Sequence, residues 1–186
     1  NPSNASAKDI LFLGRLGKRK GVYDFLDAIK LIEERIPNDV HLYLCGDGEI
    51  DSVKQRVNEL GIQRMVNHIG WIDAKQKASI YKTVAINVLP SYNEGLPMSI
   101  LETMAYGIPS ITTNIASIPE VVENGKNGFM IEPGDIHALS EKLLSLIEDR
   151  NLLLELGMNA YNLISRDFSL ENHMTLLKNY YRELTE

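Results

Sequence analysis

Residues 89–109 read Leu89-Pro90-Ser91-Tyr92-Asn93-Glu94-Gly95-Leu96-Pro97-Met98-Ser99-Ile100-Leu101-Glu102-Thr103-Met104-Ala105-Tyr106-Gly107-Ile108-Pro109, and this stretch decides the architecture. The apolar run Ala85–Leu89 leads into a polar turn that carries Glu94. Pro97 suits the first turn of a helix over 97–106, where its missing N–H is harmless. Gly107 ends that helix, and Pro109 keeps it from resuming. A second β-branched run, Ser110–Thr112, follows at once. Strand, helix and strand joined this closely make a parallel crossover unit.

The same alternation continues in both directions. Further strand candidates are Ile10–Leu13, Val40–Cys45, Val66–Ile69 and Gly128–Ile131. Helical patterns lie at about 22–36, 50–60 and 74–82, with a short piece near 118–123. In the first, Val22, Phe25, Leu26, Ile29, Ile32 and Ile36 recur at the spacing of one helical face. Asp73 with Gln76, and Ser117 with Glu120, read as capping boxes. Together these predict an α/β fold: a Rossmann-like, doubly wound parallel sheet of about six strands with helices on both faces. A helical tail closes the chain. Asp135 opens Ile136–Glu148, Asn151 opens a stretch to about Arg166, and Ser169 begins a last helix striped by Leu176, Leu177, Tyr180 and Tyr181. That tail is expected across the sheet edge or against a second domain.

The bulk numbers narrow the function. The 186 residues suit one domain with a sizeable core. A formal charge of −6 and the lack of any long basic stretch exclude a general grip on nucleic acid. The densest cluster, Lys18-Arg19-Lys20 with Arg15, suits one small anion. The single cysteine, Cys45, excludes an internal disulfide and fits a reducing, cytoplasmic compartment as an inert core residue. No run approaches the ~18 apolar residues of a membrane span, and no secretory signal is visible. Residues 1–7 are polar and read as a tag or linker, leaving 8–186 as the domain.

In open parallel sheets a ligand sits beyond the carboxyl ends of the strands. The loops so selected are Gly14–Gly21, Gly46–Glu49, Gly70–Asp73, Ser91–Pro97 and Thr113–Ser117. In the first, Gly14, Gly17 and Gly21 allow tight turning, and Arg15 and Lys20 can both reach over a diphosphate. The following helix start adds free N–H groups. The spacing is neither a P-loop nor a dinucleotide fingerprint. Taken alone, the loop reads more readily as a solvated basic turn.

Glu102 has Met98, Ser99, Ala105 and Tyr106 as its helical neighbours, so no base on its own helix can pair with it. It needs outside donors or an open cleft, and the two adjacent hydroxyls of a ribose would serve. Glu94 precedes the same helix, beside the N–H groups of Gly95 and Leu96, where a phosphate could be held. Glu94 would then face whatever hangs beyond that phosphate. The plainer alternative has Glu94 favouring the helix dipole and Glu102 reaching solvent.

These residues resemble the retaining glycosyltransferase family GT4, whose architecture is the two-Rossmann GT-B fold. The family's signature of two glutamates separated by seven residues, after Pro-Ser and before Met-Ala-x-Gly-x-Pro, appears as Pro90-Ser91, Glu94, Glu102 and Met104–Pro109. Gly14-Arg15-Leu16, Lys20-Gly21, Gly46-Asp47-Gly48, Gly70-Trp71, Ile118–Val122, Asn124-Gly125, Asn127-Gly128 and Pro133–Asp135 extend the likeness over about residues 8–185. Thr103 departs from the family's usual alanine.

The resemblance implies that residues 8–186 are the C-terminal, donor-binding half of a hexosyltransferase-type enzyme. Its ligand would be a nucleotide-diphosphate sugar, and its partner an N-terminal acceptor half of the same polypeptide. Any peripheral membrane association would belong to that half, and the piece alone would transfer poorly. Arg15 and Lys20 would hold the diphosphate and stabilise the departing nucleotide. Glu102 would bind the ribose and Glu94 the donor sugar, with Gly95, Leu96 and Pro97 framing sugar and phosphate. Gly46–Glu49, including Gly48, and Gly70–Ile72 would shape the base pocket.

No cofactor or metal is expected. His41, His68, His137 and His173 lie far apart, and no Asp-x-Asp occurs, so leaving-group charge falls to Arg15, Lys20 and the helix start. Trp71 reads as wall or core. The variant Glu94–Ser99 looks like bacterial surface-polysaccharide enzymes. Two other functions stay open on the residues: a nucleotide-sugar epimerase of related fold, and a non-catalytic nucleotide-sugar-binding module.

Overall fold

The computed structural model describes residues 6–168 together with Met174, Lys178, Tyr181 and Arg182. Strands β1 (Asp9–Leu13), β2 (Leu42–Cys45), β3 (Val66–Gly70), β4 (Val84–Leu89), β5 (Ser110–Thr113) and β6 (Gly128–Ile131) form one sheet. Its order is β3-β2-β1-β4-β5-β6, with every pairing parallel. Helices α1 (Val22–Ile32), α2 (Ile50–Leu60), α3 (Ala74–Ile80), α4 (Met98–Ala105), α5 (Ile136–Glu148) and α6 (Arg150–Asp167) flank it. This is the expected doubly wound, Rossmann-like α/β architecture.

A parallel sheet survives in water only with both faces covered, and β1 shows it: Ile10, Leu11 and Phe12 are all fully buried. Phe12 stacks on Phe25 of α1 with ring centroids 6.2 Å apart. The apolar face of α1 buries Val22, Phe25, Leu26, Ala28, Ile29 and Ile32, every one of these side chains larger than alanine contributing ~2 kcal/mol. From β1 the chain runs outward through β2 to β3, then crosses to β4 and runs the opposite way to β6. Right-handed crossovers therefore put α1 and α2 on one face and α4 on the other. The tail helices straddle the β6 edge, α5 packing on α1 and α6 on α4. Gly157 permits the second contact, since a Cβ there would fall 2.3 Å from the Gly107 carbonyl oxygen.

Several boundaries differ from the sequence reading. The helix expected over 22–36 stops as an α-helix at Ile32 and tightens into a 3-10 turn, Glu33–Arg35. The strand expected from Val40 begins at Leu42, because the Val40 N–H closes a turn onto the Pro37 carbonyl. The capping box at Asp73 is complete, with Asp73 accepting from the Gln76 N–H at 2.7 Å and Gln76 from the Asp73 N–H at 2.9 Å. The one expected at Ser117 is absent. That stretch is a 3-10 turn, Ile118–Glu120, and Ser117 at ψ 8° lacks the extended backbone a cap requires. Asp149, not Asn151, caps α6, accepting from the Leu152 N–H at 3.0 Å. Pro97 is the residue before α4 rather than its first. Of the helix expected from Ser169, Leu176, Leu177 and Tyr180 lie outside the described residues, while Met174, Lys178, Tyr181 and Arg182 are helical. Among the described residues no helix is long and apolar enough to cross a membrane.

Candidate functional site

The direction of winding reverses between β1 and β4, and the loops leaving these two strands diverge there. Between them opens a cleft of about 610 Å³. The β1 loop contributes Leu13, Gly14, Arg15 and Lys20, and the β2 loop contributes Cys45, Gly46 and Asp47. Trp71, Ile72, Asp73, Ala74 and Lys77 come from the β3 loop and α3. The β4 loop and α4 complete the lining with Glu94, Pro97, Met98, Ser99 and Glu102.

Backbone contacts hold these loops in place. The Leu16 N–H donates to the Asp47 carbonyl at 2.6 Å, and the Glu49 N–H to the Leu16 carbonyl at 2.7 Å. The β1 and β2 loops lie so close that a Cβ on Gly48, at φ +112°, would sit 2.4 Å from the Leu16 oxygen. On the other side, Thr113 donates to the Ser91 carbonyl at 2.7 Å and Thr112 to the Leu89 carbonyl at 3.0 Å. The Tyr92 N–H donates to the Arg19 carbonyl at 2.9 Å, and the Tyr92 hydroxyl to Asp24 at 2.7 Å. These last two bonds tie the Lys18–Lys20 turn and the first turn of α1 to the loop carrying Glu94, which is how Lys20 arrives beside it.

All three cations of the cleft are paired with carboxylates. Lys20 Nζ lies 2.5 Å from Glu94 Oε1, with side chains 16% and 4% exposed, and the Ser91 hydroxyl donates to the same oxygen at 2.7 Å. Lys77 Nζ lies 2.6 Å from Glu102 Oε2, with side chains 33% and 35% exposed. The Tyr81 hydroxyl also donates to that oxygen, at 2.9 Å. Arg15 reaches Asp47 at 3.5 Å, both side chains about two-thirds exposed. Burial, then the neighbouring Glu102 carboxylate, push the Tyr81 hydroxyl far above its ordinary pKa, so it remains a donor. Burial likewise pushes the Cys45 thiol up to about 12, leaving it neutral.

Of the residues singled out in the sequence, Gly14, Arg15, Lys20, Gly46, Glu94 and Glu102 line this one cleft. Gly48, Gly95 and Leu96 do not: Gly48 packs against the β1 loop, and Gly95 and Leu96 sit on the approach to α4. Gly21 also stays outside it, pressed against the Pro90 carbonyl, where a Cβ would come within 2.1 Å. Trp71 is wall rather than core, 68% exposed at the rim. Thr103 is buried and its hydroxyl donates back along α4, to the Ser99 carbonyl at 2.9 Å or that of Ile100 at 3.0 Å. Lys77 and Tyr81 were not picked out by sequence reasoning, and Asp47 only as part of the Gly46–Glu49 loop expected at the base pocket. A signal existed for two of them: the Asp73 cap fixes the start of α3, and Lys77 and Tyr81 follow four residues apart on one face. That this face meets Glu102 depends on the folded arrangement of α3 and α4.

Cations beside a helix start suit an anionic ligand, and a carboxylate with an oxygen to spare suits a hydroxylated one. The fold and this crevice define a Rossmann-like ligand-binding domain. The family described as glycosyl transferases group 1 matches residues 1–163, and the chain belongs to that family. It is 29% identical over 158 residues to the capsular polysaccharide biosynthesis glycosyltransferase CapM of Staphylococcus aureus, covering 85% of this chain and 41% of CapM. The chain spans less than half the length of the curated relatives it matches, 41–48% for three of them. Among solved structures, the C-terminal domain of the group 1 glycosyl transferase LpcC from Francisella tularensis superposes with TM-score 0.80 at 27% identity, over 88% of this chain and 87% of that one. Anabaena HepE in complex with UDP-glucose superposes with TM-score 0.80 at 25% identity, over 96% of this chain and 49% of that one.

Proposed function

We propose that the cleft binds a nucleotide-diphosphate sugar and that the chain is the donor-binding half of a retaining glycosyltransferase. The observation that carries this reading is the convergence of Arg15, Lys20, Glu94 and Glu102 on one crevice at the reversal point of the sheet. We assign the groups of such a donor to them in turn. Glu102 takes the ribose hydroxyls. Arg15, Lys20 and the N–H groups around the start of α4, reached through Gly95 and Leu96, take the diphosphate. Glu94, beyond the phosphates, takes hydroxyls of the transferred sugar.

Lys20 must then be shared between Glu94 and a phosphate oxygen. That places the lysine between the carboxylate on the sugar and the leaving group. As the bond from the anomeric carbon to the phosphate breaks, negative charge grows on the diphosphate, and Arg15 and Lys20 stabilise it. The acceptor hydroxyl attacks from the face the phosphate leaves, so the configuration is retained. The acceptor and any base come from a second domain, and closure of the two halves assembles the site. The likeness to CapM and to HepE holding UDP-glucose supports a sugar donor and an acceptor in polysaccharide assembly.

Calorimetry of this chain against a panel of uridine, guanosine and adenosine diphosphate sugars tests the reading. At least one should bind with a dissociation constant below about 1 mM, the ordinary range for such substrates. No binding by any of them at that concentration would overturn it.

A further inference from the structure

Glu102 is held in an unusual way for a surface carboxylate on a short helix. Nothing on α4 can pair with it, yet Oε2 receives two donors, Lys77 Nζ of α3 at 2.6 Å and the hydroxyl of Tyr81, the residue that caps the end of α3, at 2.9 Å. No hydrogen bond from a described residue reaches Oε1. The two donors have different anchors. Tyr81 is 6% exposed and packed in the smaller core cluster, its ring 4.7 Å from that of Tyr106. Lys77 lies one turn earlier on the same face of α3 and lines the cleft. The complete cap at Asp73 fixes the helix that carries both.

We infer that Lys77 and Tyr81 are positioning residues that lock Glu102 by one oxygen so that the other faces the cleft, and that this lock sets the preference of the site for ribose over 2′-deoxyribose. The inference rests on the donor reading above. An unheld glutamate samples several rotamers, and a ribose hydroxyl would have to collect it into one. With Oε2 saturated, the carboxylate cannot rotate away without breaking two charge-assisted bonds, and Oε1 is left as its open acceptor. A 2′-hydroxyl then meets a preset partner beside the 3′-hydroxyl, whereas a 2′-deoxy sugar leaves that oxygen one donor short.

The readout is a ratio. Removing Lys77 also removes a positive charge from the cleft, which weakens every anionic nucleotide alike; the ribo to 2′-deoxy affinity ratio cancels that effect and keeps the orientation. Titration of the unaltered chain with UDP, GDP and ADP identifies the diphosphate bound most tightly, which is compared with its 2′-deoxy form. The ribo form should bind about tenfold tighter, the worth of one charge-assisted hydrogen bond. Tyr81→Phe and Lys77→Met should each lower the ratio about threefold, and the double variant should bring it close to one. Lys77→Arg should largely restore it, and Lys77→Met in a Glu102→Ala background should leave it unmoved.

An undiminished ratio in the double variant, with the thermal midpoint showing it folded, would overturn the inference. So would equal binding of the two sugars by the unaltered chain, which would remove the ribose role of Glu102 as well. Failure of the unaltered chain to bind any of the diphosphates is a separate result and would strike the donor reading itself.

Discussion

The glutamates before and within α4 each hold a lysine at nearly the same distance, and the surroundings make them different devices. At the head of the helix, Lys20 and Glu94 are almost wholly enclosed, with Ser91 on the same carboxylate oxygen. One turn into the helix, Lys77 and Glu102 stand about one-third exposed. The first lysine comes from the β1 loop across the reversal point; the second comes from the neighbouring α3. Enclosure raises the mutual attraction and also the penalty for leaving one partner alone. The head pair is therefore part of what holds the β1 and β4 loops together. The second pair, solvated, adds little to stability and, in the proposed reading, serves the ligand.

The sharpest way to break that contrast is to remove each lysine in turn. Lys20→Met should lower stability by about 3 kcal/mol, because it strands an enclosed carboxylate. Lys77→Met should cost less than about 1 kcal/mol. Urea unfolding of the two variants measures both. Adding Glu94→Gln to Lys20→Met should recover part of the loss, since the stranded charge is gone. Similar losses for both lysines would show that the two pairs do not differ in kind.

The second test separates the glutamates by ligand. Glu102→Ala should weaken binding of a free nucleoside diphosphate about thirtyfold, because two charge-assisted hydrogen bonds to the ribose disappear. Glu94→Ala should leave that affinity within about threefold, since it releases Lys20 to the phosphates as it removes a negative charge from their side. It should instead erase any added affinity that the sugar confers. Calorimetry with a diphosphate and its sugar conjugate reads both effects. Equal losses of free diphosphate affinity in the two variants would cancel the division of labour.

Much of this was legible in the chain, and what escaped has a common cause. Six strands, the helices between them, including the one bearing Glu102, and the loops bearing Arg15, Lys20 and Glu94 follow from hydrophobic spacing and from Gly107, Pro109 and Asp73 as punctuation, all local features. The end of α1 escaped because Ile29, Ile32 and Ile36 keep the helical spacing while the backbone tightens into a 3-10 turn after Ile32. The pairing of charges escaped because it is not local. Lys20 and Glu94 are 74 residues apart, and Lys77 and Glu102 are 25 apart. They meet only because β1 lies beside β4 and α3 lies beside α4. Gly48 was legible as a motif glycine, but its reason, the Leu16 carbonyl pressing on its Cα, appears only when the β1 and β2 loops are side by side.

The smallest effect concerns the third pair, and it extends the contrast to its exposed limit. Arg15 and Asp47 are 3.5 Å apart and both largely in solvent, so their attraction is weak and readily exchanged. Asp47 nevertheless competes with any phosphate for the same guanidinium. Asp47→Asn keeps the loop's shape, whose bonds run through the Asp47 carbonyl rather than its side chain, and leaves Arg15 without its carboxylate. Diphosphate affinity should rise about threefold at low salt, the gain falling away as ionic strength approaches 0.5 M and screening shortens to about 4 Å. Stability should be unchanged. The corresponding release at Lys20 is costlier, because Glu94 is enclosed and, in the proposed reading, also takes the sugar. A tighter Asp47→Asn variant with unaltered unfolding would thus separate a carboxylate that merely restrains its cation from one that the cleft is built around. Weaker diphosphate binding by that variant would instead mean that Asp47 orients Arg15 for the phosphates, and the ranking of the three pairs by enclosure alone would fail.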